Sequence, residues 1–360
     1  LKKAEKLDDM LWIGRSTRNL GHIYSAKGDY DTALDYYEKA LTIAEEIGDK
    51  SGIGACLNSS GGIYAINRDY DKALDYYERA LTIAEESGDK RKVYFSLDGI
   101  GFLYSRKGEY DTALDYYERA LSIKEEIGVK SGIGWSLNSI GWVHYTKGDL
   151  DKALDYYERA LTIAEKLGNK RGIAQTLHSI GGLHRNKDDL DKALDCHKRS
   201  LTIREEIGDK RGMGFSLYVI GIEHHDRGDY DKALDYFKRS LIIREELGDK
   251  RKNNLYSIGI VYYDKDNYDK AQEYLKKFLA IQKEIGLKKL ELETTTYLYL
   301  SYKHLSKDYD VNEIHVLIKE TENIEFALNY QLFKLLEDVS YLETAYMQIQ
   351  EKVDNLEPDI

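Results

Sequence analysis

The chain has 360 residues, one proline, 31 tyrosines and a formal net charge of −11. An acid excess of this size excludes the broad basic face that holds a nucleic-acid backbone, and no apolar run reaches bilayer-spanning length. Cys56 and Cys196 lie 140 residues apart and read as reduced thiols in or near the core of a cytoplasmic protein.

The first seven residues, LKKAEKL from Leu1, align without a gap to LTIAEEI from Leu41. The expectation is that residues 1–8 are the second half of a helix that begins upstream, in a longer protein. A unit then recurs: DYDTALDYYEKALTIAEEIG from Asp29, DYDKALDYYERALTIAEESG from Asp69, EYDTALDYYERALSIKEEIG from Glu109, and further copies from Asp149, Asp189 and Asp229. Ala33, Ala73, Ala113, Ala153, Ala193 and Ala233 keep a constant step of 40 residues, and Ala271 follows after 38. Length alone suggests two or three globular domains, but a sustained period in this range is the signature of a solenoid.

Each unit reads as a helix. Ala73, Leu74, Tyr77, Ala80, Leu81 and Ala84 share one face at the 3.6 period. Asp69 and Asp71 supply the cap and negative charge that a helix start favours, and Gly88 supplies a left-handed stop. A second helix fills the interval, as in KSGIGACLNSSGGIYAIN from Lys50, with a tight turn at Gly48–Asp49. These interval helices, the first of each repeat, are expected over 9–27, 49–67, 89–107, 129–147, 169–187, 209–227 and 249–265, which makes seven repeats over 9–288. Val129 lacks a capping side chain, so its turn is expected to be weaker. Arg204 and Arg244 read as charge pairs along their own helices.

After Gly286 the pattern fades. LELETTTYLYLSYKHLSKDYD still reads as a first helix with its turn, a shorter helix starts at about Val311, and FALNYQLFKLLEDVSYLETAYMQIQEKV reads as a last hairpin. Arrays need an atypical end unit, so 289–356 is assigned a divergent repeat with capping helices, and 357–360 a frayed tail.

Leu97, Ile100, Gly101 and Tyr104, then Leu137, Ile140, Gly141 and His144, with Ala73, Tyr77 and Ala80 in the second helix, resemble the tetratricopeptide repeat. The family's closing proline is absent, and the second helix runs on for about another turn and a half. This long variant is similar to repeats of kinesin light chain, Pins-type spindle regulators and bacterial Rap-type signalling proteins. The resemblance implies an all-α fold, a right-handed solenoid of antiparallel helix pairs, whose first helices line a concave groove that binds a protein or peptide.

No phosphate loop, nucleophile elbow or metal-ligand motif is present in the sequence. His144, His184 and His224 recur in the aromatic slot of successive first helices. Neighbouring repeats hold such groups ~8–10 Å apart, whereas zinc needs ligands near ~2.1 Å, so packing is the expected role. Neither an enzyme activity, nor a catalytic residue, nor a cofactor, nor a metal is expected.

A stripe beside the core face, at i, i+3, i+7 and i+10 of the first helix, varies from copy to copy. It reads Trp135, Asn138, Trp142 and Tyr145 in the fourth repeat, and Phe95, Asp98, Phe102 and Ser105 in the third. It offers Phe215 and Tyr218 in the sixth, Asn58 in the second, His178 in the fifth and Arg18 in the first. Aromatics beside Asn and Asp have the composition of an interface hot spot. The asparagines suit an extended backbone and the aromatics its apolar side chains; the competing role is packing between first helices. The expected function is a non-enzymatic scaffold for a peptide or helix of a partner, within a larger signalling or assembly protein. Alternatives are a Rap-type switch on a fused or bound output, and self-association through the N-terminal end.

Overall fold

The computed structural model describes residues 2–249, 253–285, 290–321 and 323–356. The described residues form eighteen helices and no strand, in two compact units, Leu1–Asp189 and Leu190–Ile360. The first unit holds α1 (Lys2–Ala26), α2 (Tyr30–Ile47), α3 (Lys50–Ile66), α4 (Tyr70–Glu86), α5 (Lys90–Lys107), α6 (Tyr110–Glu126), α7 (Lys130–Thr146), α8 (Leu150–Lys166) and α9 (Lys170–Asn186). The second holds α10 (Leu190–Glu206), α11 (Lys210–Asp226), α12 (Tyr230–Glu246), α13 (Asn253–Asp264), α14 (Tyr268–Ile285), α15 (Glu291–His304), α16 (Val311–Glu320), α17 (Phe326–Leu336) and α18 (Val339–Leu356). Within each unit the helices pack as consecutive pairs, and neighbouring first helices such as α3 and α5, or α7 and α9, also touch. No helix among the described residues is long and apolar enough to cross a membrane.

The turns follow from local chemistry. Gly48 ends α2 at φ 70°, a region costly for any residue with a Cβ, and the Asp49 N–H then donates to the Ala44 carbonyl at 2.8 Å. At the helix starts, Asp29, Asp69 and Asp149 accept from the N–H groups of Thr32, Lys72 and Lys152. Val129 makes no such bond. Where later copies have the stopping glycine, the first has Asp8, and α1 runs unbroken from Lys2 to Ala26. The turn expected between residues 8 and 9 is therefore absent.

The core of the first unit is a row of tyrosine wedges. Tyr77 lies between α3 and α5: a Cβ on Gly61 would sit 3.3 Å from its ring, and one on Gly99 2.7 Å. Its neighbour Tyr76 stacks on Tyr64 at 5.2 Å. One tyrosine of each pair thus packs within its repeat and the other bridges to the next. His144 stacks on Tyr156 at 5.5 Å and, in the second unit, His224 on Tyr236 at 5.4 Å, so both histidines serve as flat packing rings. Solvent-facing pairs such as Lys107–Asp71 at 2.7 Å and Lys187–Asp151 at 2.6 Å bridge successive repeats. Exposed pairs of this kind contribute only about 0–1 kcal/mol each.

In the second unit, Leu332 and Leu335 of α17 join Leu300 and Ile314 in one buried cluster, yet Tyr330, Val339, Tyr346 and Met347 stay exposed. The expected boundary at 288–289 and the tail 357–360 lie outside the described residues.

Candidate functional site

The variable stripe divides into two physical classes. Its large apolar members stay at the surface: Phe95, Phe102, Trp135, Trp142 and Phe215 are 37–54% exposed. Its polar members mostly turn inward. Asn58 is buried, and its Oδ1 accepts from Ser96 Oγ at 3.0 Å. Asp98 accepts from Lys124 Nζ, which also bonds Ser136 Oγ at 2.7 Å. In the second unit, Ser257 Oγ donates to Tyr218 Oη at 3.2 Å. These bonds join one first helix to the next, directly or through Lys124 of α6. Asn58 and Asp98 thus help to knit the stack.

Lys124 is the sharpest departure from the repeat. It occupies the slot held by Ala44, Ala84 and Ala164, yet it is 1% exposed. Its ammonium lies 4.9 Å from the Tyr94 ring and 5.1 Å from that of Trp135. Burial pushes the Asp98 carboxyl up to about 6, although the adjacent lysine pulls the other way. Arg204 and Arg244 fill the same slot in the second unit. Arg204 is buried and its Nη1 donates to the Gly212 carbonyl of α11 at 2.6 Å. Arg244 reaches Asp249 at 3.4 Å and covers the Tyr218 ring. The expected pairing along their own helices is corrected to cross-links to the next repeat, because the alanine slot points into the seam.

Five of these stripe residues come together. Phe102, Ser105, Trp135, Asn138 and Trp142 line an open cavity of about 450 Å³ among α5 to α9. Trp135 meets Tyr117 edge-on at 5.9 Å, and Trp142 meets Tyr110 at 6.5 Å, so both indoles are held on rigid rings. Asn138 is fixed in orientation. Its Nδ2 donates to the Gly134 carbonyl at 3.0 Å and to Thr176 Oγ1 at 2.8 Å, and Thr176 in turn donates to the Gly172 carbonyl. That leaves Asn138 Oδ1 as the acceptor, buried and without a hydrogen-bond partner. A buried acceptor left unpaired costs about 1–3 kcal/mol, which a ligand N–H placed there would recover.

The other stripe residues lie elsewhere. Phe95, Tyr145 and His178 do not line this cavity. Arg18 borders a separate narrow pocket beside Cys56, whose thiol burial pushes up to about 11. Phe215 and Tyr218 belong to the second unit. The cavity also recruits Arg106, Arg171, Gln175 and Leu167, which sequence reasoning did not select. Gln175 is the fifth repeat's copy of the Trp135 position in the variable stripe, although it was not among the candidate residues; Leu167 lies outside the stripe, past the end of α8.

A second polar cluster shows a strong electrostatic shift. His225 Nε2 donates to Asp264 Oδ2 at 2.7 Å, tying α11 to α13, and Asp226 lies 3.8 Å from Nδ1. Hydrogen bonds to Asp226 and Asp264 push the imidazole up to about 9. Because this lies above the unfolded value of about 6.5, the contribution is complete below about pH 6.5 and is lost as pH rises through about 9. The urea midpoint of the second unit is expected to fall between pH 7 and 10, and His225→Gln to flatten that part of the profile. An unchanged slope in the variant would show that other groups carry it.

Comparisons with known proteins add the following. The tetratricopeptide repeat family matches residues 12–86, 93–166, 172–246 and 253–285. Comparison with curated proteins gives no match. Among solved structures, a Rap protein complexed with competence and sporulation factor is 18% identical, with a TM-score of 0.61, covering 96% of this chain and 99% of its own. A signal transduction ATPase with a tetratricopeptide repeat sensor from Pyrococcus horikoshii is 18% identical, with a TM-score of 0.62. It is covered over 50% of its length by 92% of this chain. BtubC from P. vanneervenii is 23% identical, with a TM-score of 0.53 over 60% of this chain and 91% of its own. Identities at this level speak to the fold alone.

Proposed function

Because the chain belongs to the tetratricopeptide repeat family, we propose that it is a non-enzymatic interaction scaffold whose first unit seats an extended peptide segment of a partner protein. The supporting observation is the cavity of about 450 Å³ with exposed Trp135, Trp142 and Phe102 around the unpaired acceptor Asn138 Oδ1. The indoles and the phenyl ring seat apolar side chains. Asn138 Oδ1 takes a backbone N–H, and the segment stays extended because the wall is a row of parallel first helices. Asn138→Ala is expected to weaken capture by about one hydrogen bond, ~0.5–1.5 kcal/mol. It also removes the Thr176 contact, so its stability is read alongside.

A photo-crosslinking residue in place of Phe102 tests the site. It should capture a partner segment, whereas the same group at exposed Glu118, on the α6 surface, should not. Equal capture at both positions would contradict the reading.

A second reading is a peptide-responsive switch of the Rap type, supported by the two-unit division and by the Rap structure holding a peptide factor. It calls for a change in solution scattering on ligand binding, which a passive scaffold lacks.

A further inference from the structure

The charge of the cavity runs against that of the chain. The protein has 64 acidic and 53 basic residues, yet among the described residues no carboxylate lines this cavity, and two guanidinium groups do. On the second helices α4, α6 and α8, by contrast, Arg79, Arg119 and Arg159 each pair with an aspartate one turn away. Arg106 and Arg171 are exposed and have no counterpart of that kind. The Lys124–Asp98 pair behind Trp135 neutralises itself and leaves the two arginines to set the sign.

Their placement sets a length. α5, α7 and α9 run parallel as successive first helices. In the 40-residue register Arg106 corresponds to Asn186, the last residue of α9, fifteen positions beyond Arg171. At 1.5 Å per residue the two backbone positions stand about 22 Å apart along the helix axes. An extended chain covers that span in about seven residues.

From this juxtaposition we infer that the cavity's occupant is an extended peptide of about seven residues, with an Asp or Glu side chain near each end and large apolar side chains between. The inference rests on reading the cavity as a peptide site. Each guanidinium takes a carboxylate through paired N–H donors. The indoles and Phe102 take the apolar residues, and Asn138 Oδ1 takes a backbone N–H midway. Acidic ends also explain specificity in an acidic protein. In a chain of net charge −11, a wall with two arginines and no carboxylate among the described residues attracts such a segment.

The test uses the full chain and three pools of fluorescent, N-acetylated heptapeptides with apolar central positions. One pool is amidated with Asp at both ends, one is amidated with Asn at both ends, and one has Asn ends and a free terminal carboxylate. The acid-ended pool should bind about tenfold or more tighter than the neutral pool, with an advantage that shrinks as salt is raised. Arg106→Ala with Arg171→Ala should bring the two pools together. Arg106→Glu with Arg171→Glu should favour Lys-ended peptides instead. Equal affinity for acid-ended and neutral pools, no saturable binding of the acid-ended pool, or tighter binding of the free-terminus pool would each overturn the inference. Trp142→Ala separates the two levels. If it weakens all pools alike while charge makes no difference, the peptide site stands and the acidic specificity falls. If it weakens none, the peptide site falls as well.

Discussion

Replacing His197 with phenylalanine should destabilise the second unit by about 3 kcal/mol, the upper end of the cost of leaving a buried polar group without its hydrogen-bond partner. His197 and Glu223 are both fully buried, with Nδ1 and Oε1 2.6 Å apart. The first holds the slot of Tyr157 and Phe237; the second holds that of Val143 and Val261. His197→Phe would leave a carboxylate in a seam built for aliphatic side chains, with its second oxygen already lacking a donor. The double variant His197→Phe, Glu223→Val copies Phe237 and Val261 of the next repeat. It should recover most of the loss, because the coupling resides in the pair. Urea unfolding of both single variants and the double variant checks this. Additive losses in the double variant would show that the pair is not the source of the penalty.

Tyr77→Ala should cost the first unit a similar amount, on the order of 3–5 kcal/mol. The ring is 7% exposed and is gripped by α3 and α5 at Gly61 and Gly99. Those backbones already sit at contact distance, so removing the ring opens a void that two rigid helices cannot close. Tyr77 does not line the cavity, so peptide affinity measured well below the melting transition should be unchanged. A loss below about 1 kcal/mol would mean that the seam collapses more readily than its packing implies.

The architecture was legible because it is redundant. Ala73, Tyr77 and Ala80 recur at a fixed step, and each copy confirms the face assigned to the others. Where the chain departs from its own pattern, the sequence misleads in one direction. Glu223, Lys124, Asn58 and Asp98 are polar residues in a strongly charged chain, and polarity alone assigns them to solvent. Burial places them in seams between repeats, where each acquires a partner donated by a neighbouring helix, and no single-copy pattern displays that partner. Asp8 is the converse case. One missing glycine removes the left-handed stop, and α1 continues through a turn that alignment predicts. The stripe itself was legible, but its division was not. Which aromatics share a cavity depends on the lateral offset between α5, α7 and α9, a quantity set by packing. Arg106 and Arg171 were missed because they lie off the stripe and enter the cavity from its ends.

The most direct measurement is the affinity of the full chain and its Trp142→Ala variant for the segment captured by the crosslinker at position 102, with circular dichroism and melting recorded on both. A buried aromatic anchor contributes about 2 kcal/mol or more to binding, so the variant should bind roughly thirtyfold more weakly. Its helical signal and melting midpoint should match the wild type, because Trp142 is 37% exposed. Equal affinities would contradict the assignment of this cavity as the partner site. A variant that melts early would show Trp142 to be part of the core.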